Sequence, residues 1–378
     1  MLFLGTEKYP DENSYSAFLN DHGGMSNAYT DMENTNYYFD VGHDHLEEAL
    51  DRFSQFFSAP LFTASATDRE LEAVDSENSK NLLNDSWRMF QLTKSTSSSD
   101  HPYHKFGSGN KATLKDRPAE KGIDTRDNLL SFHKEYYSAN NMRLAVVGKE
   151  PLDTLQAWVT QRFEGVRNTE RPVPSFEGMP LRKEDMAKSF LVQPVKELRT
   201  IELSFQTPSL RSQYRAKPSQ YLSHLVGHEG PGSILSLLKA RGLANGLTAG
   251  QFRNTSGFGT FNVNIDATDE GITSVDKIVT VVFQYLKKLR EAGPQRWIFD
   301  ESNDIAKNSF RFKSKENPMS YATSLASDMH RYDPNDVLSA KWIASEFDPA
   351  AITASRHRCG CSSCRPTKAG MRSERLNV

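Results

Sequence analysis

The chain has 378 residues, 37% of them hydrophobic and 25% charged, which is length enough for two hydrophobic cores. Its 46 Lys and Arg stand against 48 Asp and Glu, so a formal charge of -2 gives no global pull toward nucleic acid or an anionic membrane, and neither is expected as a partner. The longest apolar runs, such as Met1 to Leu4 and Leu144 to Val147, fall far short of the roughly 20 residues a membrane-spanning helix needs.

The start, Met1-Leu2-Phe3-Leu4-Gly5-Thr6-Glu7-Lys8, has no basic segment and no apolar core long enough for a secretory leader, so secretion is not expected. All three cysteines, Cys359, Cys361 and Cys364, lie within six positions of one another, so no disulfide can join distant parts of a fold. A reducing, cytoplasmic setting is expected.

Two β-prone runs, Met25 to Thr30 and Asn36 to Val41, flank a short polar turn and predict a hairpin. Asp44 is placed to cap a following helix whose Leu46, Leu50, Phe53 and Phe57 recur at helical spacing, and Pro60 stops it. One long helix is expected from about Asp68 to Leu92, another around Leu129 to Tyr137, a buried strand at Met142 to Gly148 and a helix from Leu152 to Phe163. Pro172, Pro174 and Pro180 mark a linker, because proline stiffens the backbone and removes a donor.

Beyond the linker, strands are expected at Phe190 to Val195, Ile201 to Phe205, Leu247 to Phe252 and Phe258 to Ile265. Helices are expected at Gln220 to His228 and Ser233 to Lys239, with two more after the last strand. The order helix, hairpin, helix, helix occurs in both halves, although the first half keeps only Met1 to Leu4 of its leading helix. The division is therefore a first domain at 1–170, a linker at 171–185, a second domain at 186–352 and a basic, cysteine-containing tail at 353–378 that looks foreign to the fold.

Hydrolysis at zinc needs three protein ligands, a water and a carboxylate to take its proton. No H-E-x-x-H, H-x-x-E-H, G-x-S-x-G, Walker A or Rossmann glycine pattern occurs in the chain. Glu70 and Glu77, seven residues apart, share one helix face, which on its own reads as a solvated acidic surface.

A series of ordered blocks is more telling: Met1-Leu2-Phe3-Leu4-Gly5-Thr6, Ser26-Asn27-Ala28-Tyr29-Thr30, Thr35-Asn36-Tyr37-Tyr38-Phe39-Asp40-Val41, Ala73-Val74-Asp75-Ser76-Glu77, Asn84-Asp85-Ser86-Trp87-Arg88, Lys105-Phe106-Gly107-Ser108-Gly109-Asn110 and Gly227-His228-Glu229-Gly230-Pro231-Gly232-Ser233. From Met1 to Ile352 the chain resembles the insulin-degrading enzyme group of inverted-motif (M16) zinc peptidases. The resemblance implies an α+β fold of two similar domains, each a mostly antiparallel sheet packed with helices, forming one bowl of a clamshell. It implies a zinc metalloendopeptidase that hydrolyses small peptides such as insulin in an enclosed chamber.

In that family H-x-x-E-H directly precedes M-L-F-L-G-T, so the two zinc histidines and the catalytic glutamate fall upstream of Met1 and no catalytic residue is retained. By the same resemblance Glu77 matches the third zinc ligand and Glu70 a carboxylate that orients the site. One carboxylate cannot hold zinc, so this chain is expected not to bind it stably and to be inactive as written. Asn27, Ala28 and Tyr29 match the strand edge that captures an extended peptide, and Trp87 and Phe90 the pocket beside it. His224, Gly227, Glu229, Leu247, Ala249 and Gln251 match an exosite for the substrate N-terminus, with Ala249 where glycine is usual and Gln220 where histidine is usual.

Other signals are set aside. His224 and His228 have the spacing of a zinc pair but lack a glutamate between them, and glycines end the helix at once. His43, Asp44 and His45 suit a helix start, and the cysteine tail with His357 has no surrounding fold to shape a metal site. The rival to a truncated peptidase is a noncatalytic peptide-binding or partner subunit of the same superfamily, including processing-peptidase-like subunits. Peptides are the expected partners, with homo-oligomerisation or association with a C-terminal half as further possibilities.

Overall fold

The computed structural model describes residues 1–358, the last three of these by backbone alone, and the short strand Ser373–Arg375. The chain divides into two compact units that do not follow chain order. The first comprises Met1–Leu82, Gly107–Pro174 and Ser314–Val337. The second comprises Leu83–Phe106, Ser175–Lys313 and Leu338 onward. The Cys359, Cys361 and Cys364 cluster lies outside the described residues.

In the first unit, Met25–Thr30 and Thr35–Asp40 pair antiparallel, with Met25 opposite Asp40 and Thr30 opposite Thr35. The Leu46–Ser58 helix packs its apolar stripe into a largely aromatic core of Tyr15, Leu19, Phe53, Phe56 and Phe62. Phe56 meets Tyr15 edge-on at 4.9 Å and Phe53 meets Phe57 edge-on at 5.1 Å, pairings worth about 0.5–1.5 kcal/mol each beyond simple burial. The helix start differs from expectation. Its N-cap is His45 without a side-chain bond, and the Asp44 carboxylate instead binds Lys149 and His43 in the preceding 3-10 turn.

Three further expectations are corrected. Met1 to Leu4 is not helical; the helix ahead of the hairpin is Ser14–Asp21, whose apolar residues are too few for periodicity alone to reveal it. The long helix expected to Leu92 breaks in two, Ala64–Asn81 and Asp85–Ser95, because Asn84 turns its side chain to accept from the Ser86 and Trp87 amides and starts a new helix. Met142 to Gly148 is extended but joins no ladder, and Leu144 and Val147 are exposed. Among the described residues the hairpin strands pair only with each other, and no strand lies beside this segment.

The second unit is built on a three-stranded antiparallel sheet with Phe258–Ala267 in the centre, flanked by Thr200–Pro208 and Ala244–Asn254. Alternation sorts the central strand. Phe261, Val263 and Ile265 face a core of Leu222, Val226, Ile234, Leu238, Ile278 and Val282 from the Pro218–Val226, Ile234–Ala240 and Val275–Ala292 helices. Asn262 faces the other way and is satisfied by Ser204 and Glu202. The strand expected at Phe190 to Val195 is only Ser189–Leu191, paired with Ser373–Arg375. The final helix, Pro349–Arg358, runs past position 353 with Ile352 and Ser355 buried.

The repeat seen in the sequence is thus visible with a corrected leading element. Ile234–Ala240, a hairpin and Val275–Ala292 in one unit correspond to Ser14–Asp21, a hairpin and Leu46–Ser58 in the other.

Candidate functional site

In the first unit the Met25–Thr30 strand has an open edge, since among the described residues its sheet holds two strands only. The turn sets which groups face that edge. The Asp31 amide donates to the Asn34 carbonyl at 2.8 Å, so bonded and unbonded pairs alternate back along the ladder and Ala28, opposite Tyr37, falls at an unbonded position. Its amide therefore points away from the partner strand, where it donates to Asn27 Oδ1 at 2.8 Å. Asn27 and Tyr29 are exposed. The other strand is braced by the Pro318–Asp328 helix: Asn36 Nδ2 donates to the Thr323 carbonyl and Ser327 Oγ, and Tyr29 hydroxyl lies 2.8 Å from Ser327 Oγ.

Glu70 and Glu77 both lie on the Ala64–Asn81 helix, about 10 Å apart along its axis. The Glu70 carboxylate accepts from the Met1 ammonium at 3.1 Å. Glu77 is exposed and neither hydrogen-bonded nor ion-paired among the described residues. The same helix is tied on its acidic face by Lys111, whose amide donates to Asp75 and whose ammonium pairs with Glu72, and by Lys115 on Asp68.

Among the described residues no group of three His, Cys, Asp or Glu is arranged to hold a metal ion. A lone carboxylate supplies one of the three donors that catalytic zinc requires, so the residues present do not fit the ion.

In the second unit Trp87 and Phe90 stand edge-to-face at 5.7 Å on the Asp85–Ser95 helix, with Trp87 43% exposed. Asp85 anchors that helix: its carboxylate accepts the Val195 and Lys196 amides and pairs with Arg88 at 2.7 Å, and these bonds hold it below the usual carboxylate range.

Also in this unit, His224 and Glu229 are exposed, and Gly227 ends the Pro218–Val226 helix. A Cβ at Gly227 would lie 2.8 Å from the Ser223 carbonyl, which its own amide also binds, so glycine suits this helix end. Ala249 and Gln251 lie on the Ala244–Asn254 edge strand, and Gln251 Oε1 accepts from Ser219. The Leu247 side chain is in the core, so it can offer a ligand only its backbone. His224 and His228 rings meet edge-on at 5.9 Å, and His228 Nδ1 accepts the Gly230 amide.

Sequence reasoning overlooked the Asn84 cap, although Asn before Asp-Ser is a readable signal, and overlooked Lys94 and Arg253, whose proximity no spacing reveals.

Helices packed on antiparallel strands in each unit, with an open strand edge in the first, define an α+β chain. The profile described as "Insulinase (Peptidase family M16)" matches residues 1–100, "Peptidase M16 inactive domain" matches 125–305, and "Middle or third domain of peptidase_M16" matches 310–358. The chain belongs to peptidase family M16.

It is 49% identical to insulin-degrading enzyme of Homo sapiens over 352 residues, 93% of this chain and 34% of that protein. It is 47% identical to the A-factor-processing enzyme of Saccharomyces cerevisiae over 354 residues, again 93% and 34%. A Schizosaccharomyces pombe relative, 42% identical over 93% of this chain and 36% of its own length, carries a name that describes a zinc protease. The crystal structure of pitrilysin superposes with a TM-score of 0.89 at 29% identity, covering 95% of this chain and 38% of that one. The chain thus spans about a third of the length of these curated relatives. No helix among the described residues is long and apolar enough to cross a membrane.

Proposed function

We propose that this chain is the peptide-holding part of a zinc-dependent M16 peptidase, taking extended peptides of the insulin class onto the Met25–Thr30 edge without cutting them when alone. The observation that carries the reading is the Ala28 amide, which faces an open strand edge and is occupied only by its neighbour's side chain. A peptide strand added there would take over that donor, with main-chain bonds giving affinity and side-chain pockets giving selection. Within the second unit, considered by itself, Trp87 and Phe90 would receive a peptide side chain. Also within the second unit, His224, Gly227, Glu229, Ala249, Gln251 and the Leu247 backbone would hold a peptide's N-terminal end along the Ala244–Asn254 strand.

Hydrolysis needs a metal-bound water and a base. Glu77 supplies one metal donor, so the remaining ligands, the base and the family's remaining length come from outside these residues. They would come by continuation of the polypeptide or by association with a second chain, another copy of this one included. The clustered cysteines favour a reducing compartment such as the cytoplasm, while the name of one Arabidopsis thaliana relative places that protein in the peroxisome.

Ala28→Pro tests the edge directly. Proline removes the donor but is tolerated where the N–H faces outward, so circular dichroism stays native while affinity for a fluorescent extended peptide falls roughly tenfold. Unchanged affinity in a folded variant sinks the edge reading. Incubation of the chain with zinc and a fluorogenic peptide is expected to give no chelator-sensitive turnover; turnover above background overturns the claim that the chain alone does not cut.

A further inference from the structure

The polar face of the second unit's sheet is covered by the Asp85–Ser95 helix and the 3-10 turn Pro102–His104. Lys94, on that helix, is 5% exposed. Its ammonium lies 4.7 Å from the centre of the Tyr103 ring and 5.4 Å from that of Phe90. The Arg253 guanidinium lies 4.7 Å from the same Phe90 ring. Two cations therefore share one aromatic ring.

Arg253 reaches this face because of a β-bulge. The register shifts between Gln251, opposite Phe261, and Arg253, opposite Thr260, so the extra residue Phe252 is thrown outward, 59% exposed, and Arg253 turns to the polar side.

Among the described residues neither cation is paired with a carboxylate. The Lys94 ammonium makes no hydrogen bond or ion pair among the described residues, while its carbonyl accepts from Ser97, and Arg253 Nε is buried without an acceptor. Burial, and secondarily the Arg253 charge, push the Lys94 ammonium below its ordinary value. The nearest carboxylate on this sheet face, Glu202, lies four residues along its strand from Gln206, about 13 Å away. It is hydrogen-bonded by Asn262, and burial pushes it toward its neutral form. Asp85, at the far end of the helix, is committed to Arg88 and two backbone amides. Ring faces compensate a cation only in part, and buried charges in native proteins are paired.

We propose that Lys94 and Arg253 form an anion site, flanked by Trp87 and Phe252, that takes the side-chain carboxylate of an acidic residue in a bound peptide. This rests on the reading that an extended peptide passes Trp87 and Phe90. The planar Arg253 fork suits a carboxylate bidentately, and Lys94 adds a point charge from the buried side. Peptides with Glu or Asp at the residue seated on Phe90 are selected over their amide counterparts.

The test has an arm that needs no peptide groove. Thermal unfolding of the whole chain is followed with N-acetyl-glutamate N-methylamide and with its glutamine counterpart, both capped so that only the side chain differs. The glutamate compound raises the midpoint and the glutamine compound does not. R253E abolishes the shift and also unfolds at higher temperature than the parent without any ligand, because the introduced carboxylate pairs with Lys94. K94Q abolishes the shift as well. Equal shifts from both compounds, or a glutamate shift retained in R253E and K94Q, overturn the site.

In a second arm, a C-terminally amidated fluorescent peptide carrying one Glu binds at least tenfold tighter than its Gln twin, and R253E brings that ratio to about one. A Gln peptide with a free C-terminus that matches the amidated Glu peptide overturns the side-chain assignment in favour of chain ends. If neither peptide binds while the capped glutamate still shifts the midpoint, the peptide-edge reading fails and the anion site stands.

Discussion

Asp85 shows how one carboxylate can organise two segments. It accepts the Val195 and Lys196 amides and pairs with Arg88, whose guanidinium also donates to the Gln193 carbonyl. Because the folded carboxyl ionises below its unfolded value near pH 4, its stabilisation is complete above that pH and is lost as the pH falls through the folded value. Asp85→Asn therefore lowers the unfolding midpoint at pH 7, and the difference from the parent chain shrinks as the pH drops below about 4. A pH series of thermal melts checks this, and a pH-independent difference would contradict it. Asn84→Ala removes the neighbouring cap, costing about 1 kcal/mol in urea unfolding. The Asn84 bonds to the Ser86 and Trp87 amides explain why a pattern that reads as one helix is two. Apolar spacing continues across the break, and only a side chain accepting from the backbone reveals it.

Among the elements, those whose burial pattern is written in their own residues were the legible ones. The Leu46–Ser58 helix, the Met25–Thr30 hairpin strand and the three long strands of the second sheet lie within a few residues of expectation. Each has an apolar face at a period of 3.6 or 2 and a core to receive it. Met142 to Gly148 has the same apolar character and is not a strand, because a strand is a relation between two segments and none of the described segments pairs with it. The second core is tightly filled, with Leu238, Val263, Ile278 and Val282 inaccessible to solvent. Leu238→Ala opens a cavity there and should cost about 2–5 kcal/mol by urea unfolding. A value under 1 kcal/mol would mean the site collapses around the gap.

For the molecule as a whole, three M16 profiles match in chain order and the chain covers about a third of its relatives' length. Glu77 is the one zinc donor the family resemblance assigns to it, and it stands exposed on its helix. Zinc is therefore expected to give no stabilisation that depends on Glu77. A zinc-induced rise in unfolding temperature that Glu77→Gln abolishes would show that the missing donors are supplied by this chain after all.

The amino-acid sequence by itself determined the family, the α+β character, the doubled helix–hairpin–helix plan and the absence of an H-x-x-E-H motif, because ordered motif blocks and periodicity are properties of neighbours along the chain. Only the tertiary structure decided that the Ala28 amide faces an open edge, that Leu247 is a core residue and that Lys94 and Arg253 meet across Phe90 without a carboxylate. Those outcomes depend on ladder register, on a single bulged residue and on segments more than 150 positions apart folding onto one face. Such long-range pairings leave no periodic trace in the order of residues.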